Sequence, residues 1–353
     1  MSPLACIKTH RDFQNAQLGT VLQLAGDQGY EIGYPHNDLM AFFADKRIRD
    51  LVSCSCGGCP TVGKSEVEAL VTKIRNKENS YVGVLSFLVM HREWYYIFEF
   101  IKKGFSDQKL STLGEDGLPV ISEDEFIQML QLKSGGKSTA YVSFFRFFMP
   151  VLRYQDRSIA KPRRIHQLQI LPFNITKSIG KGGYSTVYEA QVLPGYHDFN
   201  HEGAKVCDLC ATTNPYQLKI KIFKDGRVAL KIFNRMNDEN LDCFKEMENN
   251  VRYSHPRVMP LQAAIVHKGT HMHVFPLAGG CLKEFFDHDP PKDENHTAED
   301  KDYTAKHWWN EFAELLGAVH HIHTSRPGEA GFHFDLKVSR TVEKRLFLTT
   351  NCL

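Results

Sequence analysis

Apolar residues in the middle of this chain alternate with polar ones in short runs that predict β-strands. Two of these runs, Phe173–Ile179 and Thr186–Val192, flank a turn that contains three glycines. Two more, Leu218–Phe223 and Val228–Phe233, flank Asp225–Gly226, a dipeptide typical of β-hairpins. This part of the chain is therefore predicted to form an antiparallel sheet, with a hairpin at Asp225–Gly226.

Helical spacing dominates the first 165 residues instead. Glu66–Asn76 has apolar side chains at intervals of three and four residues, as on one face of a helix. Ser122 and Glu125 have the spacing of a helix N-cap with its capping box. The aromatic-rich segment Tyr141–Tyr154 favours packing in a core or at a domain interface over a ligand site. A mainly helical region is therefore expected over residues 1–165.

Composition narrows the class of protein. The 353 residues have room for two domains, and 42% apolar with 24% charged residues is ordinary for a globular chain. A net charge of +2 gives no reason to expect nucleic acid or a membrane surface as the main partner. The longest uncharged apolar run, Ser80–Met90, is too short to cross a bilayer. Nine cysteines without an apolar leader favour a reducing compartment, cytoplasmic or nuclear.

The three glycines between the first two strand-like runs are the first candidates for chemistry. Gly180, Gly182 and Gly183 lie between two strands, whereas a dinucleotide-binding loop joins a strand to a helix. Residues without a Cβ allow backbone N–H groups to approach phosphate oxygens closely. Lys231, at the end of a Val-Ala-Leu-Lys sequence, adds a compact positive charge. This order resembles the glycine-rich lid and third-strand lysine of protein kinases.

The residues after Lys231 extend the resemblance. In protein kinases a helix follows, and one of its glutamates pairs with the lysine. A helix is predicted over Asp238–Tyr253. Glu246 stands nine residues before His255, and this spacing resembles that between the family's glutamate and the His-Pro pair that ends the link from the helix to the next strand. Glu248 is the alternative glutamate.

Two further strand-like runs, and a loop towards the end of the chain, complete the resemblance to protein kinases. By similarity to the family, Val274 would be the gatekeeper, and Phe275–Leu277 would be the hinge whose backbone meets adenine. Residues 331–337 read GFHFDLK and resemble the catalytic loop of protein kinases. The resemblance implies that Asp335 orients the substrate hydroxyl and accepts its proton. Lys337 matches the lysine typical of serine/threonine kinases.

The resemblance covers Leu171–Lys337 and implies an α+β fold. A kinase-like N-lobe with an antiparallel sheet would span residues 168–281, and a partial helical C-lobe would span 282–337. Residues 1–165 would be a mainly helical region of unassigned role, and 338–353 a tail outside the family pattern. The amphipathic segment His307–Thr324 is predicted to be a helix of the C-lobe.

The family function is transfer of the ATP γ-phosphate to serine or threonine of a protein. ATP and Mg²⁺ are the implied cofactors, and a protein substrate or regulatory protein is the implied partner. The residues assigned by resemblance to the ATP site are Ile179, Gly180, Lys181, Gly182, Gly183, Val187, Ala229, Lys231, Glu246, Phe275 and Leu277, and those assigned to catalysis are Asp335 and Lys337.

The family pattern stops directly after Lys337. The asparagine that holds a metal in protein kinases is replaced by Arg340, and no Asp-Phe-Gly follows. Little phosphoryl transfer is therefore expected from this chain, which leaves an ATP-binding pseudokinase or scaffold as an alternative function. Val338–Ser339 can be encoded by a splice-donor sequence, and the residues from Thr341 have neither strand nor helix patterning. The tail is accordingly expected to be translated intron.

A second nucleotide site competes with this one. Gly58–Ser65 matches the P-loop spelling, with Lys64 as the phosphate-binding lysine, so a P-loop NTPase is a further alternative. It requires a strand before the loop, expected at Ile48–Ser53, and a helix after it. The next strand-like run, Val82–Met90, is not followed by the aspartate that would bind Mg²⁺.

Two groups of residues have metal-binding chemistry. Cys54, Cys56 and Cys59 could be three ligands of a zinc site, but no fourth ligand has a familiar spacing, so reduced structural cysteines are favoured. A second group lies in the long insert before Lys231, where a surface loop is favoured over a zinc site because the spacing is tight. This second group consists of His197, His201, Cys207 and Cys210.

Overall fold

The computed structural model has a mixed α+β architecture. It describes residues 4–24, 29–112, 118–131, 137–154, 161–199, 226–234, 247–248, 255, 258–278, 280–281, 298–324, 336–340 and 346–350. The chain divides into two compact units. The first, called the helical unit, comprises Met1–Val151, Arg164–Ile175 and Val192–His197; the second, called the sheet unit, comprises Leu152–Arg163, Thr176–Gln191 and Asp198–Leu353.

Helices make up most of the helical unit, as the sequence predicts. Its described α-helices are α1 (Ala5–Asn15), α2 (His36–Phe42), α3 (Asp45–Val52), α4 (Lys64–Ile74), α5 (Val82–Met90), α6 (Ile97–Lys103), α7 (Asp107–Leu110), α8 (Glu123–Met129) and α9 (Lys137–Phe144). Trp94–Tyr96 and Phe145–Phe147 form short 3₁₀ helices. Strands β1 (Thr20–Gln23) and β2 (Tyr30–Gly33) pair antiparallel as a hairpin.

Helix α5 lies at the centre of this unit. Its residues are buried from Val82 to Val89, which explains why the segment is apolar on every face. The buried carboxylate of Asp107 caps α5, because it accepts hydrogen bonds from the N–H groups of Gly83 at 2.9 Å and Val84 at 3.1 Å. Among the helices described in the structure, none is both long and apolar enough to cross a membrane.

Three features that the sequence predicts for the helical unit are present in the structure. The helix expected over Glu66–Asn76 is α4, and the Oγ atom of Ser122 accepts the N–H of Glu125 at 3.2 Å as the N-cap of α8. The carboxylate of Glu125 is 2.9 Å from Lys103 Nζ, so it forms an ion pair on the surface. Core packing is confirmed for the segment that begins at Tyr141. Its buried aromatic residues are Tyr141, Phe144, Phe145, Phe147 and Phe148.

The sheet that contains the glycine turn has six strands. In chain order they are β4 (Arg163–Ile165), β5 (Phe173–Lys181), β6 (Ser185–Val192), β8 (Arg227–Phe233), β9 (Ala263–His267) and β10 (Thr270–Pro276). Their spatial order is β4-β9-β10-β8-β6-β5, and the pairs β6–β8, β8–β10 and β9–β10 are antiparallel. Strands β3 (Leu152–Arg153) and β7 (His197–Asp198) form a separate two-stranded sheet.

The hairpin predicted at Asp225–Gly226 is wrong. Strand β8 pairs with β6 along one edge and with β10 along the other, so no edge of β8 is left for Leu218–Phe223. Leu218–Phe223 itself lies outside the described residues. Part of the predicted linker Arg157–Arg164 also belongs to the sheet, because Arg163 and Arg164 are in β4.

A three-stranded sheet contains part of the C-terminal tail. It consists of β11 (Gly280–Cys281), β12 (Leu336–Arg340) and β13 (Leu346–Thr350) in that order. The expectation that residues from Thr341 lack strand structure is therefore wrong for Leu346–Thr350, which pairs antiparallel with β12. The sequence Leu-Phe-Leu-Thr-Thr is rich in apolar and β-branched residues, which pack well on a pleated surface.

The predicted C-lobe helix is longer than its amphipathic pattern suggests. Helix α10 covers Ala298–Thr324 rather than beginning at His307. Leu315, Ala318 and Ile322 are buried at intervals of three and four residues, whereas Trp309 and Leu316 are exposed.

Candidate nucleotide-binding site

The glycine turn joins β5 to β6 as a hairpin, which agrees with its strand–turn–strand sequence. The N–H of Gly182 donates to the carbonyl oxygen of Ser185 at 2.8 Å, so Gly183 and Tyr184 form a two-residue loop. All residues from Gly182 to Tyr184 are exposed. The phosphate-binding groups that this turn can offer are therefore the backbone N–H groups of a hairpin, not those of a helix N-terminus.

The three glycines of the turn are not required by the fold. None of them has a positive φ angle. A Cβ atom added to Gly180 would lie 3.9 Å from Val187 Cβ, and one added to Gly182 would lie 3.7 Å from Ser185 O; both are ordinary contacts. Around Gly183, no heavy atom of the described chain lies within 4 Å of the added Cβ. The glycines instead leave space on the outside of the hairpin, where a ligand could approach the backbone.

Asn234 fixes the position of this turn. Its backbone N–H donates to the carbonyl oxygen of Tyr184 at 2.8 Å, and its side-chain Nδ2 donates to that of Gly183 at 3.2 Å. Asn234 directly follows strand β8, so the hairpin loop is tied to the strand that carries Lys231. Sequence reasoning missed this residue, because nothing in the Val-Ala-Leu-Lys-Ile-Phe-Asn sequence marks the asparagine as a turn anchor.

Strand register places four of the predicted site residues on one face of the sheet. Lys231 lies opposite Val187 on β6 and opposite His273 on β10. Two residues away, Ala229 lies opposite Phe275. Because directly opposed residues share a face and side chains alternate along a strand, these side chains form one contiguous surface, which we call the lysine face.

The Lys231 side chain is almost fully buried on the lysine face. Lys231 is 7% exposed, and its Nζ atom lies 5.2 Å from the centre of the Phe233 ring. The rings of Phe233 and His273 contact each other edge to face at 4.8 Å between centroids. Lysine is rarely buried, and an ammonium group over an aromatic ring is stabilised by the cation–π interaction. Low exposure also strengthens the attraction that this charge exerts on an anion.

Val274 does not lie on the lysine face. It pairs with Leu230 on β8 and with Ala263 on β9, so it belongs to the opposite face and is fully buried there. The role of gatekeeper beside Lys231 is therefore not supported for Val274, because the register places His273 and Phe275 on the side of the lysine.

The structure describes most of the remaining predicted site residues, but not all of them. Ile179 and Lys181 are exposed on β5, and Leu277 is half-buried directly after β10. Lys337 lies in β12, where its backbone pairs with that of Thr349. Glu246 and Asp335 lie outside the described residues. The alternative glutamate, Glu248, is helical and exposed.

The rival P-loop lacks its structural context. The segment predicted as the preceding strand, Ile48–Ser53, belongs to helix α3 and the residue that follows it. Val82–Met90 is also a helix, α5, so neither of the two strands that the P-loop arrangement needs is formed. In addition, the N–H of Gly63 donates to the Glu66 carboxylate at 3.2 Å, and that carboxylate would repel a phosphate. Lys64 is the first residue of α4 in this arrangement.

The cysteines of the helical unit converge in a way that their spacing did not predict. The Sγ atoms of Cys54, Cys56 and Cys59 lie close to that of Cys6, a residue of α1. Cys6 is therefore a possible fourth sulfur ligand, although its spacing from Cys54 in the sequence is not a familiar one. Of the other predicted group, His197 lies in β7, whereas His201, Cys207 and Cys210 are outside the described residues.

Comparisons with known proteins add no family assignment. No protein-family model matches the sequence, and no curated protein matches it either. The function must therefore be argued from the motifs and from the geometry around Lys231.

Proposed function

We propose that the chain binds ATP between the Gly180–Gly183 hairpin and Lys231, in a module of the serine/threonine protein kinase type. The hairpin would cover the phosphates, and the Lys231 ammonium group would contact the α- and β-phosphates. Ala229, Val187 and the hinge residue Phe275 would contact the adenine ring. Protein serine or threonine is the substrate class that the GFHFDLK sequence suggests.

The observation that carries this proposal is the composition of the lysine face. The side chains that the motifs single out one at a time, Val187, Ala229, Lys231 and Phe275, are brought together by the pairing of three strands. The open space outside the glycines adds support, because it allows phosphates to approach the hairpin backbone. The lysine also lies on the third strand of the sheet when β5 is counted as the first and β6 as the second, which agrees with the family arrangement.

The residues of the proposed site suit ATP better than they suit the Mg²⁺ ion that protein kinases use with ATP. A protein kinase uses Mg²⁺ to bridge the β- and γ-phosphates, and it holds the ion with an aspartate and an asparagine. Arg340 has the position of that asparagine, and a cation is a poor neighbour for Mg²⁺. We therefore derive no transfer step, and we propose that nucleotide binding or scaffolding, rather than phosphorylation, is the main activity of these 353 residues.

A calorimetric ATP titration of the full chain tests the nucleotide site. Lys231→Ala should weaken binding about tenfold or more, because one hydrogen-bonded charge pair contributes about 1.5–3 kcal/mol. The matched control is Lys177→Ala, which removes a lysine of β5; the side chain of this lysine is 68% exposed and pairs with Glu189. Lys64→Ala tests the P-loop alternative and should leave the affinity unchanged. Equal affinities of the wild type and Lys231→Ala would refute the proposal.

Phosphate transfer to a protein substrate is a separate test. We expect negligible incorporation of the γ-phosphate with or without Mg²⁺, and no further decrease in Asp335→Ala. Robust Mg²⁺-dependent transfer that is lost in Asp335→Ala would show that the chain is an active kinase and that Arg340 is compatible with metal binding.

A further inference from the structure

Four cysteine sulfurs form a cluster in the helical unit, and none of these cysteines belongs to a motif of the proposed nucleotide site. Cys6 comes from the first turns of α1, and Cys54, Cys56 and Cys59 come from the turn between α3 and α4. All four Sγ atoms lie within 4.8 Å of one another, and those of Cys6 and Cys56 are 3.6 Å apart. We call these residues the cysteine cluster.

From this geometry we infer that the cysteine cluster is a structural zinc site. Zinc binds four thiolates at the corners of a tetrahedron with Zn–S bonds of about 2.3 Å, so the sulfurs are separated by about 3.8 Å. The observed separations, up to 4.8 Å, enclose this value, and small side-chain rotations bring the sulfurs onto it. A disulfide requires about 2.05 Å between sulfurs, and all four cysteines are free thiols.

The spacing of two of the cysteines supports zinc binding. Cys56 and Cys59 are separated by two glycines, and a Cys-x-x-Cys pair is a common zinc-binding unit. The N–H of Cys59 donates to the carbonyl oxygen of Cys56 at 3.1 Å, which closes the turn and directs both sulfurs to one side. Four sulfur ligands favour zinc over calcium or magnesium, which prefer oxygen.

Core packing does not explain the cluster. Free cysteine is commonly a small buried apolar residue, but only Cys54 of the four is buried, and the others are partly exposed. Cys6 and Cys59 pack against the hydrophobic core as partly buried residues, so the cluster lies at the margin of the core. Four thiols at a partly wet margin gain little from the hydrophobic effect, whereas four thiolates around one cation would join α1 to the turn.

A neighbouring side chain supports the thiolate form. Trp94 is 3% exposed, and its Nε1 atom donates to Cys59 Sγ at 3.2 Å. A thiol is a weak acceptor, whereas a metal-bound thiolate accepts such hydrogen bonds well, and donors of this kind orient metal ligands. Binding of Zn²⁺ would release the remaining thiol protons and form four Zn–S bonds.

The site would be structural rather than catalytic. Four protein ligands complete a tetrahedron and leave no open position for water or substrate. Because Cys6 is 48 residues from Cys54 in the sequence, the bound ion would close a long loop and hold the N-terminus of α1 against the turn before α4.

Metal analysis of the full chain tests this inference. Protein expressed with zinc in the medium and purified with a reductant should contain zinc at about one ion per chain in this cluster. Cys6→Ser and Cys59→Ser should each lose that ion, and the matched control Cys281→Ser, which changes a cysteine of β11, should keep it. Trp94→Phe should bind zinc about 10–100-fold more weakly while retaining all four ligands.

A measurement on the wild type keeps the test independent of whether the variants fold. Alkylation followed by peptide mapping should find Cys6, Cys54, Cys56 and Cys59 protected together, and a zinc chelator should expose all four together. Cobalt in place of zinc should give the visible absorption of a tetrahedral tetrathiolate. Absence of zinc, retention of the ion in Cys6→Ser and Cys59→Ser, or iron as the bound metal would each overturn the inference.

Discussion

The two units differ in how their candidate sites relate to the sequence. In the sheet unit, the residues of the lysine face are two positions apart on each strand, and their motifs can be recognised along the chain. In the helical unit, four sulfurs meet within 4.8 Å, although Cys6 is 48 residues from the nearest of the other three. A motif describes local spacing, so it finds a site on neighbouring strands more easily than a site closed by tertiary contact.

The units also differ in what surrounds their polar groups. Lys231 is buried among aromatic side chains at the centre of a sheet. The cysteine cluster lies at the margin of a core in which phenylalanine is the most frequent residue. The stability of the helical unit should therefore depend on its aromatic core, and the affinity of the sheet unit for a nucleotide should depend on the few residues that position the hairpin and Lys231.

The largest effect is expected from the aromatic core. Phe144 is fully buried, and its ring contacts those of Phe148 at 4.6 Å, Phe126 at 4.8 Å and Phe87 at 5.0 Å between centroids. Phe144→Ala should lower the free energy of unfolding of the helical unit by about 3–5 kcal/mol, measured by urea denaturation. Val142→Ala is the control, since this side chain is 40% exposed in the same segment. Similar losses for both variants would contradict an aromatic core as the source of stability.

A smaller effect is expected at the N-cap of α8. Ser122→Ala removes the acceptor of the Glu125 N–H and should cost about 1 kcal/mol of unfolding free energy. Ser122→Gly should cost only a few tenths of a kcal/mol, because water can then reach the N–H group. Thermal unfolding of the two variants measures the difference, and a larger loss for glycine than for alanine would argue against the capping role.

In the sheet unit, Asn234→Ala tests whether the hairpin position matters for the nucleotide. The variant removes the hydrogen bond from Nδ2 to Gly183 O but leaves the backbone bond to Tyr184 intact. If ATP binds as proposed, its affinity should decrease about two- to tenfold, which corresponds to about 0.5–1.5 kcal/mol. Asn234→Asp has nearly the same size but cannot donate and adds a negative charge near the proposed phosphates, so its decrease should be at least as large. Unchanged affinity in both variants would mean that the turn anchor is unimportant for binding.

The smallest effect is a change of stability with pH in the helical unit. Burial lowers the pKa of His166, whose Nδ1 atom accepts the N–H of Leu168 at 3.4 Å and whose ring contacts Phe145. The unfolded chain therefore binds the proton first as the pH falls through about 6.5, so the folded state loses stability below that pH. His166→Gln should reduce the decrease in melting temperature between pH 7 and pH 5. An equal decrease in both proteins would exclude His166 as a contributor.

Elements with a clear local pattern could be predicted from sequence, and their tertiary relations could not. The spacing of apolar residues predicted α4, and the serine–glutamate pair predicted the start of α8. The Asp225–Gly226 pattern suggested a hairpin, but β6 and β10 take both edges of β8, and strand order is a property of the whole sheet. The P-loop prediction failed because a segment as short as Ile48–Ser53 fits a helix as well as a strand, and Ile48–Val52 is helical.

Cys6 and Val274 are two single residues whose tertiary positions could not be predicted from the sequence. Cys6 has no sequence signal that relates it to Cys54, because only the packing of α1 brings them together. Val274 was placed by analogy along the chain, but its face depends on the register between β8 and β10.

Because strand register decides which side chains lie beside Lys231, the length of the β9–β10 turn should be under selection. Lys268 and Gly269 both have positive φ, at 50° and 71°, so they form the tight two-residue turn whose twist matches an antiparallel pair. A one-residue insertion or deletion here, if the strands slipped to absorb it, would exchange His273 and Phe275 for Val274 beside Lys231. Most surface loops tolerate length changes. Among homologues of this chain, the length of this turn should therefore vary less than is usual for a surface loop.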